Sequence, residues 1–205
     1  QPDLRLTARS VFLDYPRGFQ TASNLNLTLK QEGRNLVLGG RATLLDGAYR
    51  EGLDLTLFTR SSQRQVSLVS EPIRFLENLR FNIAIRTQQP IIIDNNLGRL
   101  QTDVDLRLVG TPQRPGVTGR LEIEENGKIY FGGRTFSIAS GIIDFTDETR
   151  IAPRFNIAAD TRVSNYDITL KLTGDVNEQI TTSFTSEPSA NEDQIMDPGK
   201  RRAMI

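Results

Sequence analysis

Apolar and polar side chains alternate along most of this chain. Leu25, Leu27 and Leu29 alternate with Asn24, Asn26 and Thr28, and the rhythm returns at Leu53, Leu55 and Leu57 and again at Phe81, Ile83 and Ile85. It continues through Val104, Leu106 and Leu108 against Asp103, Asp105 and Arg107. Leu121 with Ile123, Phe155 with Ile157, and Ile168, Leu170 and Leu172 complete the series. A period of two sends successive side chains to opposite faces of a strand, so each run predicts a strand with one apolar face. Helical spacing is confined to two short stretches. One is Glu71–Asn78, with Pro72 early where a helix tolerates it; the other follows the capping-box sequence Ser189–Glu192 and stops at Asp197-Pro198-Gly199. The pattern predicts an all-β fold with at most one or two very short helices.

Turn-forming clusters punctuate the strands at Glu32–Asn35, Asp46-Gly47, Asn95–Gly98, Glu125–Gly127, Gly132-Gly133 and Thr146–Thr149. These predict short hairpins and a sheet rich in antiparallel pairs. About fourteen strands at ~4.8 Å each would make a flat sheet ~65 Å wide. So wide a sheet curls, closes or splits. The segment from Gly40 to Tyr49 is echoed from Gly119 to Tyr130, each copy following an alternating leucine strand. The echo either marks a repetitive, elongated architecture or is the self-similarity of any leucine-rich meander.

An elongated sheet with one apolar face and no helical cover has two ways to hide that face. It folds over on itself, or it holds something apolar. The residues assigned to the face are Leu25, Leu27, Leu29, Leu53, Leu55, Leu57, Phe81, Ile83, Ile85, Val104, Leu106, Leu108, Leu121, Ile123, Phe155, Ile157, Ile168, Leu170 and Leu172. Alternation is equally compatible with a closed sandwich or barrel in which these side chains pack against one another.

Composition narrows the chemistry. The 205 residues hold 25 Lys plus Arg and 25 Asp plus Glu, so no net field draws the chain to nucleic acid, which is not an expected partner. There is no cysteine and no histidine. Disulfides, thiolate nucleophiles and cysteine zinc sites are excluded, and so are the commonest general base and metal ligand. Asp103 and Asp105 share a face ~7 Å apart, a spacing that suits a carboxylate pair, but they read better as the solvated side of an amphipathic strand beside Arg107. Asp144, Asp147 and Glu148 lie by a turn without the calcium-loop pattern. Gly132-Gly133-Arg134 lacks the context of a phosphate loop. Neither an enzyme nor a cofactor is expected. No apolar run approaches 18 residues, and the first residues lack a signal peptide's charged head and apolar middle. The chain is expected to be a fragment of a longer, targeted protein, with one elongated domain over 1–195 and a tail from 196 to 205.

Several stretches carry a family likeness. Gly110-Thr111-Pro112 leads through Gly116–Leu121 to Gly127–Ile138, then to Gly141–Phe145 and Ala152–Ile157, and a tail holds Ser186-Glu187-Pro188 and Glu192–Ile195. This series resembles the TamB C-terminal domain family of the AsmA-like group, related in design to bridge-like lipid transfer proteins. The likeness is specific over about 88–195 and looser before it, and it departs at Met196–Lys200, where the family runs on into an apolar helical turn. The resemblance implies a curled, antiparallel-rich sheet, a β-taco, with an apolar groove. It also implies a diderm bacterial protein, anchored in the inner membrane and spanning the periplasm to an outer-membrane barrel of the BamA/TamA type. The expected cargo is phospholipid, bound by its acyl chains. The alternative is a scaffold that templates outer-membrane strands along its sheet edges.

Overall fold

A computed structural model describes residues 3–14, 18–52, 78–175 and 180–189. Leu53, Leu55 and Leu57, the first short helix as far as residue 77, and the residues after Ser189 lie outside the described residues. The described residues form twelve strands: β1 (Asp3–Asp14), β2 (Phe19–Glu32), β3 (Asn35–Tyr49), β4 (Leu79–Thr87), β5 (Ile91–Asn95), β6 (Gly98–Gly110), β7 (Pro115–Ile123), β8 (Lys128–Phe131), β9 (Arg134–Phe145), β10 (Pro153–Val163), β11 (Tyr166–Asp175) and β12 (Ile180–Glu187). Strands account for 79% of the described residues, and none of those residues is helical.

All twelve strands belong to one sheet, in the order β1-β2-β3-β4-β6-β7-β9-β10-β11-β12. β5 sits between β3 and β6 beside β4, and β8 sits between β6 and β9 beside β7. Every pairing is antiparallel except β3 with β4 and β3 with β5. Parallel neighbours need a long crossover, and residues 50–78 supply it.

β4 and β5 are one interrupted strand, because both run antiparallel to β6 and parallel to β3. The break holds Pro90, which has no N–H to give to a ladder. Side chains and local bonds fill the gap. The Val104 amide donates to Thr87 Oγ1 at 3.0 Å, and the Gln88 amide donates to the Leu44 carbonyl at 2.7 Å.

β7 and β8 are a second interrupted strand, and here the sequence-based expectation of a hairpin is corrected. The chain does not reverse at Glu125–Gly127. Asn126 takes a φ of 66°, tolerable for asparagine, and the strand resumes in the same direction. The Asn126 amide donates to the Ile138 carbonyl at 2.9 Å and the Ile138 amide to the Gly127 carbonyl at 2.8 Å, so the ladder to β9 survives the break. Asp46-Gly47 does not turn either. It lies inside β3, where Ser23 faces Leu44 and Ala22 faces Asp46, leaving Leu45 as the extra residue of a bulge. An Asx-Gly pair relieves strain in a bulge as well as in a hairpin, and sequence alone does not separate the two. The hairpins at Gly33-Arg34, Asn96-Leu97 and Gly132-Gly133 form as expected.

The internal echo is structural. Leu27 of β2 pairs with Gly40 of β3, and Leu106 of β6 pairs with Gly119 of β7. Both glycines have positive φ, 129° and 114°, and a Cβ on either would fall on a backbone carbonyl oxygen of the facing strand, that of Asn26 or Asp105. Two equivalent hairpins thus bring backbones together in the same way.

Candidate functional site

Strand register assembles one continuous face. Across the sheet, Leu25 aligns with Ala42, Ile85, Leu106, Gly119, Phe145 and Pro153. The neighbouring row joins Val104, Leu121, Ile143 and Phe155, and the next joins Ile91, Thr102, Ile123, Gly141, Ile157 and Leu172. Ala159, Leu170 and Phe184 continue towards the far edge. Every described residue assigned to the apolar face from sequence lies on this face. The bulges keep it intact, since each skips one residue without exchanging the two sides.

Burial is graded over the face. Ile83, Val104, Ile123, Ile157, Ile168 and Leu170 are buried, whereas Leu25, Leu27, Leu29, Phe81, Ile85, Leu106, Leu108, Leu121, Phe155 and Leu172 are half-buried. On the edge strand β1 the face ends in Leu4 and Leu6, which are 65% and 52% exposed. These leucines pair with Leu29 and Leu27 and so extend the same surface into solvent.

The opposite end is closed. Phe131 of β8 and Phe184 of β12 have ring centroids 5.9 Å apart, and Phe136 of β9 lies 6.4 Å from Phe184. Following the sheet from β8 through β9, β10 and β11 to β12 gives four strand spacings, ~19 Å if the sheet were flat. Rings that meet over that span require the sheet to roll over its apolar side. Ile123, Phe136, Ile138, Ile157, Ala159, Ile168 and Leu170 form the core inside the roll. A smaller cluster of Leu44, Ile91 and Val104 lies under the middle of the sheet, with Phe19, Ile85, Leu106 and Leu121 packed against it. The apolar face is thus filled towards β8–β12 and half-exposed towards β1–β4.

The other face is polar and self-paired. Asp105 meets Arg86 at 3.0 Å across the β4–β6 ladder, so its partner is the cross-strand arginine rather than Arg107. Arg120 meets Asp144 at 2.7 Å, and Asp103 accepts from Thr87 Oγ1 at 3.1 Å. Asp160 accepts from Thr169 Oγ1 at 2.6 Å. In the β9–β10 loop, Asp147 is held to about 2, well below its ordinary range, by the Thr149 hydroxyl first, then the Thr149 amide and Arg150. That is the signature of a capped turn. Among the described residues no acidic group is arranged to hold a metal ion.

Several members of the face were not singled out from sequence. Phe136 and Ile138 are 1% and 2% exposed and form the heart of the closed side. Their stretch alternates visibly, and the glycines around it drew attention to turns instead. Thr21, Ser23 and Thr102 are buried on the same face. Thr102 satisfies its hydroxyl by donating to the Glu122 carbonyl at 2.9 Å, a bond to the adjacent strand that no residue pattern announces.

Residues 1–197 match the family described as the TamB C-terminal domain. A search of curated proteins finds no match.

Proposed function

The chain belongs to the TamB C-terminal domain family of bacterial envelope proteins, and from that premise we propose that its apolar face forms a trough that shields phospholipid acyl chains in transit between inner and outer membranes. Each methylene exposed to water costs about 0.8 kcal/mol, so the ~30 methylenes of a phospholipid would face on the order of 20 kcal/mol unshielded. An apolar surface continuous across many strands removes most of that barrier. A conduit also needs no single tight stop. The half-buried rows are suited to this, since they repeat Leu, Ile, Val and Phe with no polar hook among them.

The observation that carries the reading is the half-exposure of Leu25, Leu27, Leu29, Phe81 and Leu108 on a face whose far side is already filled. A self-sufficient core would bury them. The proposed route has the full-length protein anchored in the inner membrane and meeting a BamA/TamA-type barrel at the outer one. No catalytic step belongs to it.

The scaffold alternative has one observation in its favour. β1 is a long edge strand, and among the described strands it pairs only with β2, which leaves its outer side as the place where a further strand would add.

Native mass spectrometry with lipid extraction, on protein purified from bacterial membranes in mild detergent, tests the reading. Co-purifying phospholipid that is lost in Leu27→Asp supports the trough as its seat. Folded protein without lipid overturns it and leaves strand templating as the function to pursue.

A further inference from the structure

Arg134 is the only charged residue at an inner-face position in any described strand. It opens β9 across from Phe131 and lies two residues before Phe136 and four before Ile138, on their side of the sheet. The remaining inner positions hold apolar residues, glycine, proline, Ser, Thr, Tyr, Asn or Gln. No Asp or Glu stands among them, and the Arg86–Asp105 and Arg120–Asp144 pairs both lie on the opposite face.

The guanidinium is correspondingly without a partner. Its Nε and one Nη are closed off from solvent and have no hydrogen-bond acceptor. The residue as a whole is half-buried, and donors closed off without an acceptor cost free energy that a ligand's acceptor would return. A second donor in the same condition stands on the same face, at the same end of the strands. Asn95 Nδ2 is buried without an acceptor, and its orientation is fixed because Oδ1 accepts from the Leu97 amide at 2.9 Å.

We propose that Arg134 seats a phosphate group at the closed end of the trough, as the headgroup of an amphiphile whose acyl chains lie along the apolar rows. The proposal rests on the trough reading and adds a polar terminus to it. A guanidinium offers a planar fork of donors that matches two phosphate oxygens at once. The residues beside the fork decide what else the ligand carries. Phe131, Phe136 and Phe184 pack at this end, and the face running away from it is apolar. A molecule that satisfies both is anionic at one end and aliphatic at the other.

The test uses the chain with three probes: dihexanoyl phosphatidylglycerol, neutral dihexanoylglycerol and inorganic phosphate. Affinity is read by titration, and the Arg134 Nε–H resonance is followed by NMR. The expected result is that the phospholipid binds about tenfold or more tighter than the neutral lipid, that Arg134→Gln removes this preference while leaving the neutral lipid bound, and that Arg134→Lys restores part of it. Arg134→Gln should also leave the urea midpoint unchanged or raised, because it deletes a charge that has no partner, whereas a purely structural arginine would lower it. Equal affinities in the parent chain, or a preference that survives Arg134→Gln, overturns the phosphate seat and leaves the trough intact. Binding of neither lipid overturns the trough itself. A shift of the Nε–H resonance with inorganic phosphate alone, without preference for the phospholipid, supports an anion seat and overturns its assignment to a lipid.

Discussion

Gly119 faces Leu106 across the β6–β7 ladder, and there is no room for a Cβ between it and the Asp105 carbonyl oxygen. Gly119→Ala should therefore lower stability by about 1–3 kcal/mol through backbone strain at a positive φ. Gly40→Ala should do the same at the equivalent place. Urea denaturation followed by circular dichroism checks both, and a loss at only one position would break the equivalence of the two hairpins.

The lining residues should divide into two classes under substitution by aspartate. Leu170 is 4% exposed inside the rolled end, so Leu170→Asp should unfold the chain or nearly so. Leu27 and Leu29 are half-buried, and the same change there should leave the fold standing while removing bound lipid. Thermal melts beside lipid extraction separate the two outcomes. Asp105→Asn breaks only an exposed pair with Arg86 and should cost at most about 1 kcal/mol, less at high salt, with lipid occupancy unchanged.

The face of the leucine-rich strands was legible from the chain because it follows a period of two, whereas in β3 and β9 the extra residues Leu45 and Ala139 shift the phase by one. What the face does with its burial was not legible. Leu25 and Ile168 read identically as alternating aliphatic positions, yet one is half-open and the other sealed, because the roll of β8 to β12 is a property of many strands together. Asp46-Gly47 and Asn126-Gly127 carried the same local signal as true hairpins, and only their neighbours' hydrogen bonds decide that the strand continues. Arg134 follows the two turn glycines, and no alternation before it tells which side of the sheet it takes. Its side proved to be the inner one through its pairing with Phe131.

The closed end should be the stability centre of the molecule. Phe136 is 1% exposed and contacts Phe184, so Phe136→Ala should cost about 3–5 kcal/mol. Phe184→Ala removes a ring that is only half-buried on the edge strand β12 and should cost less. Hydrogen exchange should show the amides of β9 and β10 more protected than those of β1, and the reverse order would contradict this placement of the core.

The β9–β10 turn should resist acid. Asp147 titrates near 2 in the folded chain against an ordinary 3.8, so its contribution is complete above the ordinary value and is lost as pH falls through about 2. An NMR titration of the Asp147 carboxyl carbon checks this. A midpoint near 4 would mean that the bonds from Thr149 do not hold in solution.

The parallel pairing of β3 with β4 makes the order of assembly unequal. Every other main ladder joins strands that are close in sequence, but this one must bring Tyr49 and Leu79 onto neighbouring strands across the whole segment from Arg50 to Asn78. Closing a loop of that length costs about 3 kcal/mol in chain entropy before any contact repays it. The β1–β3 meander and the β6–β12 meander are free to form first and separately, and the sheet becomes one body only when β4 zips onto β3. Folding time is then set at this seam, and a chain cut within the crossover would still hold two halves able to find each other.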